Sequence, residues 1–160
     1  MKTVYIETSI ASYFTARPAR DLLAAAWQSA TIRWWETQRQ RFELFTSQLV
    51  VDESNEGHPE AAQRRLDALS GLQHLSLPDA VTELATALLT EGALPQKAID
   101  DALHVAVCAY HGVDYLLTWN CRHLDNAEMK PLMRSVCAVH GYACPEICTP
   151  LELMGDDDEG

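Results

Sequence analysis

Four separated segments of the 160-residue chain carry oxygen-bearing side chains that could bind a metal ion. These segments are Glu7 with Thr8 and Ser9, Ser47 with Glu53, Asp100 with Asp101, and Thr118 with Asn120. Carboxylate and amide oxygens are the ligands that Mg²⁺ prefers, and carboxylates brought together without a cation repel one another. A bound metal ion could polarise a phosphoryl oxygen and activate water, so this chemistry suits phosphodiester hydrolysis. The site depends on whether the fold brings the four segments together.

The secondary structure predicted from the sequence alternates between strands and helices. Apolar and β-branched runs predict the strands, at 3–6, 42–46, 72–77, 115–118 and around Ile147. Helical spacing, caps and prolines predict the helices, after Thr8, from 18 to about 40, after Ser47, over 59–70, over 79–90, from Pro95 to Tyr110 and over about 128–140, with a last turn from Pro150. This alternation predicts an α/β fold, a three-layer α/β/α sandwich with a central parallel sheet.

A parallel sheet would collect the four segments at one edge, because helix starts and loops meet outside the carboxyl ends of its strands. Glu7 follows the first strand, and Glu53 lies in the helix that follows the second. Asn120 lies two residues beyond the fourth strand, and Asp101 lies early in the helix that leads into that strand. The pattern therefore predicts an acidic metal site at this edge. Acids near helix starts also stabilise helix dipoles, which is the simpler interpretation of each one alone.

The charge of the chain argues against general attraction to nucleic acid. It has 23 acidic and 12 basic side chains, a formal net charge of −11. Residues 1–154 are predicted to form one domain, and 155–160 an acidic, disordered tail. A cation held by the acidic edge would give a phosphate backbone a local positive partner.

The cysteines and the N-terminus indicate a cytoplasmic protein. The chain has five cysteines, an odd number, and it lacks the CxxC pairs that are typical of zinc sites. Buried structural thiols are the favoured interpretation. There is no apolar signal region and no run of about 20 apolar residues that could span a membrane. The strings GxxxxGK, GxGxxG and GxSxG are also absent, which gives no support to a P-loop, a Rossmann cofactor site or an α/β-hydrolase.

Four stretches of the chain resemble a known family. They are VYIETSI, TSQLVVDES, DDALHVAVCAYHGVDYLLTWN and ICTPLELM. In order and separation they are similar to the PIN domain, and in particular to VapC-type toxins of prokaryotic toxin–antitoxin pairs, from Lys2 to Met154. The resemblance implies a metal-dependent endoribonuclease that uses Mg²⁺ or Mn²⁺. It also implies an RNA substrate, a cognate antitoxin protein as partner and a homodimer.

The resemblance assigns metal-binding and catalytic roles to four residues. They are Glu7, Glu53, Asp101 and, as an auxiliary ligand, Asn120. Glu7 stands where the family usually has Asp, and Asn120 is neutral where Asp often occurs. These departures leave open a one-metal site or weak activity. The alternative function is therefore a non-catalytic PIN-fold module, with a degenerate metal site, that binds RNA or protein.

Several further residues are candidates for supporting roles. Thr8, Ser9 and Thr118 could orient water or phosphate, or could serve as caps and strand-end hydrogen-bond partners, and Asp100 is an auxiliary acid. His104 is interpreted as a core or surface histidine satisfied by a neighbour rather than as a proton relay.

Contacts with RNA or a partner protein are expected from aromatic and basic side chains. Trp35 and Arg39 are the candidates for an exposed contact, and Trp119 could stack a base or be buried. Residues 17–41 carry a net charge of +3, which would suit RNA or an antitoxin, although a solvated basic face is the default interpretation.

Overall fold

The computed structural model describes residues 1–156. Within them the chain forms five parallel strands: β1 (Lys2–Ile6), β2 (Phe42–Ser47), β3 (Gln73–Leu75), β4 (Tyr115–Leu117) and β5 (Glu146–Cys148). The strand order is β3-β2-β1-β4-β5, with Val4 opposite both Leu44 and Tyr115. This sheet is the centre of an α/β/α fold, as predicted. The predicted disorder of the tail falls largely on 157–160, outside the described residues.

The described residues also form seven α-helices in two groups. They are α1 (Thr8–Thr15), α2 (Leu22–Thr37), α3 (Gln48–Ser54), α4 (Pro59–Leu69), α5 (Asp79–Thr90), α6 (Ile99–His111) and α7 (Met129–Val139). Helix α1 contacts α2, α3 and α4, whereas α5 contacts α6 and α7. Short 3₁₀ turns cover Arg39–Arg41 and Pro150–Glu152. No helix within 1–156 is both long enough and apolar enough to cross a bilayer.

The core explains why the central strands are almost continuously apolar. Val4, Tyr5 and Ile6 of β1 have no exposed surface, and neither do Leu116 and Leu117 of β4. Strands buried on both faces carry apolar residues at every position rather than at alternate ones. The crossing from β3 to β4 places the switch in strand order beside β1, where ligand sites of such sheets form.

Two helices begin later than the proline signals predicted. Helix α2 begins at Leu22 rather than at residue 18, because the Asp21 carboxylate accepts a hydrogen bond from the Ala24 N–H and caps the helix there. Pro95 opens a turn in which its carbonyl accepts from the Ala98 N–H, and α6 begins only at Ile99. Asp100 and Asp101 consequently lie in the first turn of α6.

Candidate metal centre at the carboxyl edge of the sheet

Glu7 is fixed at the junction between β1 and α1. It occupies the N-cap position of α1, and its Oε1 accepts from the Ser9 N–H at 3.2 Å and from the Ser9 Oγ hydroxyl at 2.5 Å. The Thr118 hydroxyl, just beyond β4, donates to the same oxygen at 2.6 Å. Only 7% of Glu7 is exposed. Three donors on one oxygen therefore hold a nearly buried carboxylate at the end of the central strand.

Glu53 reaches the same place from α3. Its Oε1 accepts from the Thr8 hydroxyl at 2.6 Å and from His104 Nε2 at 2.7 Å. Ligand atoms of Glu7, Glu53 and His104 lie within 4.8 Å of one another, and they form a group with the composition of a metal site among the described residues. The structure thus brings together two of the predicted acids, with a histidine as the third member.

A buried chain of polar groups supports His104 from the other side. Tyr5 Oη lies 2.8 Å from His104 Nδ1 and 2.7 Å from Ser47 Oγ. Ser47 therefore occupies the N-cap position of α3 without a capping hydrogen bond from its side chain, and its hydroxyl serves the core instead. The chain from Ser47 through Tyr5 and His104 to Glu53 joins β2, β1, α6 and α3.

The electrostatics of these hydrogen-bonded groups favour a charged pair of Glu53 and His104. Burial acts to raise the pKa of Glu53, but the hydrogen bond and charge of His104 and the hydrogen bond from Thr8 outweigh it and lower that pKa. Burial acts to lower the pKa of His104, but the Glu53 hydrogen bond and the surrounding carboxylates outweigh it and raise that pKa. Burial raises the pKa of Tyr5 well above its usual range, so its hydroxyl stays protonated.

Asp101 belongs to a second, adjoining hydrogen-bonded group. Its Oδ1 accepts from Asn120 Nδ2 at 3.0 Å, and its Oδ2 lies 2.9 Å from His123 Nδ1. The Asn120 Oδ1 accepts in turn from the His123 N–H at 3.0 Å. Asn120 therefore bridges Asp101 and His123 through its side chain. Asp101 is not a member of the three-residue group above.

Hydroxyl groups connect the two halves of the site. Thr118 donates to Glu7 and accepts from the Asn120 N–H at 2.9 Å, and Ser9 Oγ accepts from the Trp119 N–H at 2.8 Å. These contacts place Thr8, Ser9 and Thr118 in the site as carboxylate-orienting groups. Asp100 is exposed beside Asp101, and within the described residues it makes no hydrogen bond to the other acids.

Three participants were not predicted from the sequence. His104 was interpreted as a satisfied histidine, and it is satisfied, but by Glu53 of the site itself. Tyr5 gave a signal in retrospect, because a hydroxyl inside a fully buried strand needs a partner. His123 gave none, since its pairing with Asp101 depends on the loop that follows Asn120.

The predicted aromatic contacts are corrected by burial. Trp35 was expected to face a partner but is 6% exposed, because it stacks on Phe14 at 4.8 Å inside the core. The Arg39 guanidinium lies over the Trp35 ring, with its Cζ 4.5 Å from the ring centroid, so Arg39 makes a cation–π contact with Trp35. Trp119 is 4% exposed and cannot offer a face to a base.

The donor set fits the metal that the resemblance implies. Glu7 and Glu53 provide the carboxylate oxygens that Mg²⁺ and Mn²⁺ accept, with Asp101 and the Asn120 amide next to them. His104 Nε2 donates to Glu53, so His104 orients a carboxylate ligand rather than binding the metal itself. A divalent ion would also relieve the repulsion among the acids.

A doubly covered parallel sheet with carboxylates at its switch point defines the class: an α/β protein with an acidic cation site. The family model of the PIN domain matches residues 4–127. The chain therefore belongs to the PIN domain family.

Two solved structures are similar in fold. One is VapBC2 from Rickettsia felis bound to a DNA fragment from their promoter, with 16% sequence identity, a TM-score of 0.57, and coverage of 92% of this chain and 98% of that chain. The other is VapC20 from Mycobacterium tuberculosis, a sarcin–ricin loop cleaving toxin, with 16% identity, a TM-score of 0.55, and coverage of 88% and 96%. No curated protein sequence gives a significant match.

Proposed function

We propose that the chain is a metal-dependent endoribonuclease that hydrolyses RNA phosphodiester bonds, and that it is the toxin of a toxin–antitoxin pair. The observation that carries this proposal is the convergence of Glu7 and Glu53, from segments 46 residues apart, within 4.8 Å at the edge of the sheet. Membership of the PIN family and the similarity in fold to two VapC proteins support it.

Glu7 and Glu53 would hold the metal, and Asp101 and Asn120 remain proposed ligands on the adjoining side. When bound, Mg²⁺ or Mn²⁺ supplies Lewis-acid polarisation of a phosphoryl oxygen and lowers the pKa of water. The protein supplies orientation: Ser9 and Thr118 fix the Glu7 carboxylate, and Thr8 and His104 fix that of Glu53. A fixed arrangement of charges acts without reorganisation during the reaction.

The test compares two acids that are adjacent in α3. Glu53→Gln should lower metal-dependent cleavage of single-stranded RNA by about 100-fold, since a charged ligand becomes neutral. Asp52→Asn is the matched control, because Asp52 is exposed and bonded to Gln48. Cleavage by the wild-type chain should stop in EDTA and return with Mg²⁺ or Mn²⁺. Cleavage that resists EDTA, or that is equal in both variants, would contradict the proposal.

A non-catalytic PIN-fold module is the second candidate function. One observation favours it: the Asn120 side chain is engaged by both Asp101 and the His123 N–H, so the position that often carries a fourth acid is a neutral bridge. Titration of Mg²⁺ and Mn²⁺ by calorimetry, followed by the cleavage assay, separates the two functions. Metal binding without metal-dependent cleavage would select the module.

The partners follow from the toxin proposal. A cognate antitoxin protein should form a stable complex with the chain on coexpression, and that complex should cleave RNA less than the isolated chain does. The homodimer is also a prediction, and light scattering coupled to size exclusion would measure its mass. A cytoplasmic location also stays a prediction.

A further inference from the structure

The first turns of α2 lie at the same edge of the sheet as the metal centre. Trp27 stacks on Trp119, which lies just beyond the carboxyl end of β4, with ring centroids 4.7 Å apart and planes 11° apart. Trp34, two turns further along α2, stacks on Phe42, the first residue of β2, at 6.0 Å. Helix α2 therefore runs against the strand direction, and its N-terminal end reaches the edge that carries Glu7.

In the stacked pair, Trp119 is buried and held by hydrogen bonds, whereas Trp27 is only partly buried. Trp119 is buried, its Nε1 N–H donates to Thr31 Oγ1 at 2.7 Å, and its backbone N–H donates to Ser9 Oγ. Tyr13 packs edge-on against both tryptophans, at 5.8 and 6.2 Å. Trp27 itself is only partly buried. An outer aromatic ring is thus held firmly beside residues that orient Glu7.

Exposed apolar and basic side chains precede Trp27 in the sequence. Leu23, one helical turn before Trp27, is 60% exposed, and Leu22 is 87% exposed. Arg17 and Arg20 precede the helix and are exposed, and Arg17 makes a solvent-exposed ion pair with Glu60 at 3.8 Å. Exposed ion pairs of this kind are weak, so the Arg17 guanidinium can exchange partners.

We propose that Trp27, extended by Leu23, is a nucleobase platform that stacks one base of a single-stranded RNA, with Arg17 and Arg20 contacting the flanking phosphates. The proposal rests on the proposed function, since it assigns the substrate of that site. Charge complementarity selects RNA as the occupant: residues 17–41 carry +3 within a chain of net charge −11. Stacking binds any base, because every base has a π-face.

The binding test uses the whole chain in EDTA with a short fluorescein-labelled single-stranded RNA. Trp27→Leu keeps an apolar side chain but removes the aromatic face, and should weaken RNA binding about 5- to 30-fold by anisotropy. Trp27→Phe keeps a smaller face and should fall between. Tyr110→Leu is the control, because Tyr110 is an aromatic residue that is 40% exposed and lies at the end of α6, and it should bind within about twofold of wild type.

Abasic RNA distinguishes stacking from a general loss of affinity. The wild-type chain should bind RNA with abasic positions about as weakly as Trp27→Leu binds ordinary RNA. Trp27→Leu should lose little more on the abasic RNA, because the missing contact is the same. If the loss of affinity from Trp27→Leu and the loss from abasic RNA multiply when the two are combined, the platform would be overturned.

Crosslinking tests the wild-type chain, so it does not depend on the folding of a variant. Irradiation with RNA that contains 5-iodouridine should give an adduct on the tryptic peptide 21–33, in which Trp27 is the sole aromatic residue. Adducts confined to other peptides would overturn the proposal.

The outcomes separate this inference from the proposed function. Metal-dependent cleavage together with equal RNA affinity in Trp27→Leu and Tyr110→Leu overturns the platform and leaves the nuclease. RNA binding that depends on Trp27, without cleavage in Mg²⁺ or Mn²⁺, leaves the platform and removes the nuclease. A Trp27→Leu variant that loses only a protein partner overturns the platform in favour of a protein contact.

Discussion

The two edges of the sheet use carboxylates in opposite ways. At the amino edge, Asp114 precedes β4 and accepts from the Thr3 N–H at 2.9 Å and the Thr3 hydroxyl at 3.1 Å, with Lys2 Nζ 3.9 Å away. At the carboxyl edge, the Ser9 N–H and two hydroxyls hold Glu7, and the Thr8 hydroxyl and His104 hold Glu53. Within the described residues, no Lys or Arg forms an ion pair with either glutamate.

This difference indicates which carboxylates stabilise the fold and which are available for catalysis. Asp114 and Glu7 each accept one backbone N–H, but Asp114 also faces a lysine, which offsets part of its charge. The charge of His104 faces Glu53, but the Ser9 and Thr118 donors fix Glu7 without neutralising it, so negative charge remains at the carboxyl edge. Changes at this edge should therefore affect activity, and changes at the amino edge should affect stability.

The largest expected effect concerns Asp101. Asp101→Asn should reduce metal-dependent RNA cleavage about 100-fold or more, because it removes a negative charge beside the Glu7–Glu53 pair. It should change the melting temperature little, since an amide can retain a hydrogen bond to Asn120 or to His123. Initial rates on a fluorogenic RNA and calorimetric melting measure the two effects.

Asp100→Asn is the control, because Asp100 is the exposed neighbour in the same turn of α6. If both variants cleave RNA at the wild-type rate, Asp101 has only the structural role that Asp114 has. Only Glu7 and Glu53 would then distinguish the carboxyl edge from the amino edge.

The architecture could be predicted because it depends on local signals. Helix α5 begins and ends at Asp79 and Thr90 as predicted, since Pro78 precedes it and Gly92 follows it closely. The continuous apolar character of β4 indicated a strand buried on both faces, and hence a parallel sheet. Parallel strands then required Glu7 and Glu53 to approach the same edge.

The supporting contacts of the site could not be predicted, because they join distant residues. The Tyr5–His104 hydrogen bond spans 99 residues, and it depends on how α6 crosses β1. The Asp101–His123 contact depends on the path of the loop after Asn120. The exposure expected for Trp35 was wrong because helical spacing alone did not reveal the ring of Phe14 on α1.

A smaller effect is expected from the buried chain that supports Glu53. Tyr5→Phe removes the hydroxyl that contacts both Ser47 and His104. Two buried polar groups, Ser47 Oγ and His104 Nδ1, then lose a hydrogen-bond partner. The free energy of unfolding should fall by about 1–3 kcal/mol. Cleavage should fall by about tenfold or less, because Glu53 keeps its hydrogen bonds to Thr8 and His104. Urea denaturation and initial rates measure both.

Tyr142→Phe provides the control for losing a hydroxyl. Within the described residues the Tyr142 hydroxyl makes no hydrogen bond, and Tyr142 packs at the edge of the core. Its removal should change the free energy of unfolding by less than about 0.5 kcal/mol. A Tyr5→Phe variant as stable as Tyr142→Phe would show that the buried chain does not stabilise the carboxyl edge.

The smallest effect is expected at the amino edge. Asp114→Asn keeps an acceptor for Thr3 but removes the charge, and it should lower the free energy of unfolding by about 0.5–1 kcal/mol at neutral pH. RNA cleavage should stay at the wild-type rate, because the residue lies at the opposite end of β4 from Thr118. Urea denaturation at several pH values, with Asp100→Asn alongside, measures the difference.

The pH dependence of that difference identifies its cause. The Thr3 N–H, outweighing burial with help from the Thr3 hydroxyl and Lys2, lowers the pKa of Asp114 in the folded chain. A lowered pKa means that the folded state binds the proton less tightly, so the stabilisation is complete above the unfolded pKa of about 3.9. It is lost as the pH falls through the folded pKa. The gap between wild type and Asp114→Asn should therefore be constant near neutral pH and close in acid. A gap that persists in acid would assign the effect to altered packing, and would remove the electrostatic basis for contrasting the two edges.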